Sequence, residues 1–100
     1  MKDLSKNTLC SLVAGIKKKD FTSEEITNLF IDNAQKSKKL NTFITTNFDK
    51  ALDQAKNFDK KKNYGGLLSG IPIAVKDLFC TKDVKTTAGS KMLNNFIPTY

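Results

Sequence analysis

The sequence predicts an α/β protein in which N-terminal helices lead into the first core strand of a mixed sheet covered by helices. Three observations carry this expectation. Apolar residues recur at helical spacing through the first two-thirds of the chain, a nearly continuous apolar run follows at Ile71 to Val75, and Asn63-Tyr64-Gly65-Gly66 separates the two regimes as a turn. An apolar run of this kind suits a strand buried on both faces, which normally means a sheet with helices over it.

The first helix is read from Leu9, Leu12, Val13 and Ile16, spaced i, i+3, i+4, i+7, and it ends in Lys17-Lys18-Lys19. Thr22 opens a second helix, with Glu25 placed to complete a capping box and Phe21 placed to staple onto Ile26. Its apolar face carries Ile26, Leu29, Phe30 and Ala34. Thr42 to Thr46 is rich in β-branched and aromatic residues and reads as a short extended stretch. A third helix, from about Phe48 to Lys61, gathers Phe48, Ala51, Leu52, Ala55 and Phe58 on one side. Pro72 marks the first turn of the strand or an edge, because it cannot donate to a ladder. Beyond Asp77 the chain turns polar, and Thr86-Thr87-Ala88-Gly89-Ser90 is dense in small residues. The sequence stops at Pro98-Thr99-Tyr100 before any partner for the strand, so the strand is expected to belong to a longer chain.

Composition removes several function classes. One hundred residues make at most one domain, and no apolar stretch approaches the length of a membrane span. Leu9 to Ile16 is preceded by polar residues and followed by three lysines without a small-residue cleavage site, which argues against a signal peptide and for a cytoplasmic protein. Asn7-Thr8-Leu9 also lacks the small residue expected before a lipid-modified cysteine. Cys10 and Cys80 lie far apart and there is no histidine, so neither a disulfide framework nor a metal site is expected. Both cysteines are expected to be reduced and packed. The absence of histidine also removes the usual general base.

The net charge of +7 invites a small basic nucleic-acid-binding module as an alternative. All 17 basic residues are lysine, whereas base and phosphate recognition favours the planar guanidinium of arginine. The clusters Lys17–Lys19, Lys36–Lys39 and Lys60–Lys62 fall at predicted helix ends, where cations complement the helix dipole. Solvated helix termini account for them better than a phosphate track.

Lys76 is the residue with chemical promise. A lysine at the end of a buried strand faces a desolvation cost that favours its neutral form, and a neutral lysine can serve as a general base. From spacing alone a second reading stays open, in which Lys76 snorkels to solvent and pairs with Asp77 or another acid. The Thr86–Ser90 loop likewise reads either as the lining of a polar cleft or as a turn held by hydroxyl-to-backbone bonds.

The segment Gly70 to Asp77, GIPIAVKD, resembles the strand of the amidase signature family that carries the catalytic lysine. Within that family the likeness is nearest to the A subunits of glutamyl-tRNA(Gln)/aspartyl-tRNA(Asn) amidotransferases. It extends over Leu40–Ile44, Ala51–Ala55, Cys80-Thr81-Lys82, Thr86-Thr87, Ser90–Leu93 and Phe96–Tyr100. The resemblance implies an N-terminal part of an amidase signature domain, with residues 1–62 mainly helical and 67–100 forming a core strand and active-site loop. It further implies that Lys76 is the general base of a Ser–cis-Ser–Lys triad, in a glutaminase subunit that supplies ammonia to make Gln-tRNA(Gln) from Glu-tRNA(Gln). Both serines of that triad fall outside the matched residues, so these 100 residues alone are expected to be inactive. The partners implied are B and C subunits, misacylated tRNA and the substrate glutamine. ATP and Mg belong to the complex rather than to this chain. A hydrolytic amidase of the same superfamily is the neighbouring alternative.

Overall fold

The computed structural model describes residues 4–100, which form three α-helices followed by a largely irregular second half. Helix α1 spans Leu9–Lys17, α2 spans Ser23–Lys36 and α3 spans Phe48–Lys61; single 3-10 turns occupy Leu4–Lys6, Lys38–Leu40 and Lys91–Leu93.

Each helix begins and ends for local reasons. Thr8 caps α1, its hydroxyl accepting from the Ser11 amide at 3.2 Å. At the other end the Lys19 amide donates to Ile16 O and the Asp20 amide to Gly15 O, a Schellman closure that puts Lys19 at φ 62°. The expected capping box opens α2: the Glu25 amide donates to Thr22 Oγ1 at 3.1 Å and the Thr22 amide to Glu25 Oε2 at 2.9 Å. Helix α3 has no side-chain cap at Asn47 and closes with Lys62 at φ 52°, whose amide donates to Phe58 O. The lysine clusters lie at the three C-termini, as the dipole argument requires.

Leu12 and Ile16 from α1 and Ile26 from α2 form the core, with Ile26 fully buried. Each such side chain contributes about 1.5–3 kcal/mol on burial. Phe21, Phe30, Phe58, Tyr64 and Ile71 pack around this cluster, and Phe58 meets Tyr64 edge-on with ring centroids 5.6 Å apart. Helix α3 packs on α2 and buries Ala55.

Two expectations need correction. Ile71–Val75 is not a strand: among the described residues there is no sheet, only an isolated antiparallel bridge between Thr81 and Val84. The physical reason is that a strand needs a neighbour for its backbone groups. Here the Ile71 amide turns back to Leu68 O, Pro72 has no donor, and no described segment lies alongside. Ile73 and Val75 are accordingly 73% and 50% exposed. The cysteines are free but both are exposed, not packed. Cys10 is two residues from Leu12, about 200° around the helix and thus on the opposite face. Thr42–Thr46 forms no ladder and bends at Ile44-Thr45. No helix among the described residues is long and apolar enough to cross a membrane.

Candidate active site

The Gly70–Asp77 segment is irregular, yet it is fastened at both ends. At its start, the Ser23 hydroxyl donates to the Gly70 carbonyl at 2.6 Å, and Ser23 is only 1% exposed. The same residue begins α2, where Asp59 from α3 reaches across. Its two carboxylate oxygens accept from the Ser23 and Glu24 amides, each at 2.9 Å. Thr22 and Asp59 together satisfy the first three helical amides of α2, and the negative carboxylate sits at the positive end of the helix dipole. Gly70 itself adopts φ 81°, and a Cβ there would lie 2.6 Å from the Phe58 ring. Glycine is therefore required by both backbone and packing.

At the far end Asp77 grips the Thr86–Ser90 loop. Its carboxylate accepts from the Thr87 amide at 2.8 Å, from the Thr87 hydroxyl, and from the Gly89 amide at 3.3 Å. The Asp77 carbonyl accepts from the Ala88 amide at 3.0 Å. Thr86 and Thr87 are buried; the Thr86 hydroxyl donates to Val84 O, and its amide to Phe96 O. A further backbone bond joins Asp83 to Pro98, and Lys50 Nζ donates to Asp83 O at 2.7 Å, tying α3 to this part of the chain. Of the two readings of the loop, a turn held by local hydrogen bonds describes it.

These donors hold the Asp77 pKa below its ordinary carboxylate value. The Thr87 hydroxyl is the largest cause and the Thr87 amide the next; partial desolvation opposes them, while Gly89 and the charge of Lys85 add to them. A folded pKa depressed below the unfolded one means that the clamp stabilises fully above the unfolded value and is lost as pH falls through the folded one. An NMR titration of the Thr87 and Gly89 amide shifts should give a midpoint below about 3.9. A midpoint at or above that value would show that Asp77 is not gripped in solution.

Lys76 lies between the two fastenings and is exposed. Its carbonyl accepts from the Phe79 amide at 3.0 Å. The ion pair found among the described residues is Lys56–Glu24, so the pairing of Lys76 with Asp77 or another acid, the alternative reading of this lysine, is not formed; Asp77 binds the loop instead. Sequence reasoning missed Asp59 and Ser23, because nothing local distinguishes Asp59 from a solvated charge on α3. Two shallow concavities among the described residues lie elsewhere, one lined by Leu4, Gly15, Phe21 and Leu29, the other by Gln35 and Thr46–Lys50. The Lys76 region is an open surface. Among the described residues no three Asp, Glu, Cys or His side chains converge as a metal site would need.

Residues 25–100, which include both fastenings of the Gly70–Asp77 segment except Ser23, match the Amidase family. The chain belongs to that family. Over its whole length it is 61% identical to a protein of Pelagibacter ubique (strain HTCC1062) named as the A subunit of glutamyl-tRNA(Gln) amidotransferase. Proteins of the same name from Rickettsia bellii (strain OSU 85-389) and Parvibaculum lavamentivorans are 46% and 44% identical over 102 aligned residues. The chain spans 21% of the length of each of these relatives.

Proposed function

We propose that this chain carries the general base, Lys76, of the glutaminase subunit of a tRNA-dependent amidotransferase. The observation that supports the reading is the GIPIAVKD segment, fastened at Gly70 and at Asp77, in a chain whose 100 residues are 61% identical to the matching fifth of a protein named as an amidotransferase A subunit. In the complete α/β domain, cover over Ile73, Val75 and Lys76 would exclude water and favour a neutral amine. Lys76 would then take a proton from a bridging serine, which takes one in turn from a nucleophilic serine. That serine attacks the side-chain amide of glutamine; the proton held by Lys76 returns through the bridging serine to the leaving nitrogen, so that collapse releases ammonia and leaves an acyl-enzyme that water hydrolyses to glutamate. Both serines lie outside this chain. Ser69 and Ser90 do not fill their roles, because Ser69 Oγ accepts from the Gly66 amide and Ser90 Oγ from the Met92 amide in local turns.

The ammonia passes to a B subunit that uses ATP and magnesium to amidate Glu-tRNA(Gln), with a C subunit completing the complex. The test is an assay of the full-length protein with its partner subunits. It should release ammonia from glutamine and form Gln-tRNA(Gln) when ATP and magnesium are supplied. Hydrolysis of small amides with no dependence on tRNA or ATP would instead make it a free-standing amidase.

A further inference from the structure

Lys76 Nζ has no partner among the described residues, and its side chain has four rotatable bonds. Within these residues, what positions the amine acts through the Lys76 backbone. The backbone on its C-terminal side is held by the Phe79 amide on Lys76 O, the Ala88 amide on Asp77 O, and three donors from Thr87 and Gly89 on the Asp77 carboxylate. The donors on the carboxylate and on Asp77 O belong to a single loop, and two of the three carboxylate contacts come from one buried threonine.

We propose that Asp77 and Thr87 are positioning residues for Lys76. The Asp77 carboxylate, by binding Thr87 and Gly89, docks the lysine-bearing segment on the Thr86–Ser90 loop and so sets where the Lys76 amine points. This rests on the reading of Lys76 as the general base. With its carboxylate turned to these three donors, Asp77 forms no ion pair with Lys76 in this structure.

The test uses the full-length protein and glutamine hydrolysis, with rates normalised to folded protein. Thr87→Val removes the hydroxyl but keeps shape and amide, and it should lower kcat by about 10- to 100-fold, the scale of a misplacement near 1 Å, with KM changed by less than about twofold. Asp77→Asn, which can accept at only one of its two positions, should do the same. Thr87→Ser, which restores the hydroxyl, should return kcat to within about threefold of wild type. Thr87→Val at wild-type kcat, or a loss in Thr87→Val that Thr87→Ser does not recover, would overturn the positioning role. Lys76→Ala separates the two ideas: if it stays active, the general-base reading itself fails, whereas an inactive Lys76→Ala beside a fully active Thr87→Val overturns only the inference made here.

Discussion

Lys76→Ala should lower ammonia release from glutamine by about 10³-fold in the full-length protein, the range a positioned general base supplies. In the 100-residue chain the same substitution should move the unfolding free energy by no more than about 0.5 kcal/mol, because Lys76 is exposed there and makes no ion pair or hydrogen bond through its amine. The pairing of a large kinetic effect with a negligible structural one is the signature sought. Lys76→Arg sharpens it. Arginine keeps the length and the charge but does not deprotonate in proteins, so a base is lost while a cation remains. Both variants should be equally inactive if Lys76 moves a proton. Near wild-type turnover by Lys76→Ala would remove the assignment, and substantial activity in Lys76→Arg would turn the lysine into an electrostatic anchor.

Asp59→Ala should cost about 2–3 kcal/mol of stability, read from the denaturant midpoint at unchanged m-value. Two charge-assisted bonds to the Ser23 and Glu24 amides disappear together, and the Ser23 amide belongs to a buried residue with no ready access to water. The favourable meeting of a carboxylate with the α2 N-terminus is lost as well. Asp59→Asn should lie between wild type and Ala, since one oxygen can still accept. An Ala variant within about 0.5 kcal/mol of wild type would mean that the α2–α3 cap does not persist in solution. The same substitution should loosen the Gly70 end of the lysine segment, because Ser23 holds Gly70 through its hydroxyl.

Local signals in the sequence were enough for all three helices. The capping box at Thr22 and Glu25, the apolar spacing of Leu12, Ile16 and Ile26, and the lysines at the helix ends are each decided within a few residues, and each is found in the structure. The strand failed for the converse reason. An apolar run such as Ile71–Val75 states that burial is needed, but it carries nothing about what provides it, and no described segment does. Lys76 was legible only through the motif around it. Its surroundings were not, because Asp59 acts on a helix 35 residues away and Asp77 on a loop ten residues on. Contacts of that kind leave no periodic trace. The reading of Asp77 as a partner for Lys76 weighed proximity along the chain, whereas backbone and hydroxyl donors presented together by one turn compete better for a carboxylate than a single mobile ammonium.

The clamp at Asp77 closes a ring of only ten residues to Thr87. Closing a loop of that size takes about 10–100 ns, whereas enzymes of ordinary speed turn over about ten times per second. A clamp that opens can thus reclose many thousands of times within one catalytic cycle. Each proton transfer involving Lys76 would meet a platform already averaged over its closed form, and slow drift in the rate from one turnover to the next would have to originate elsewhere.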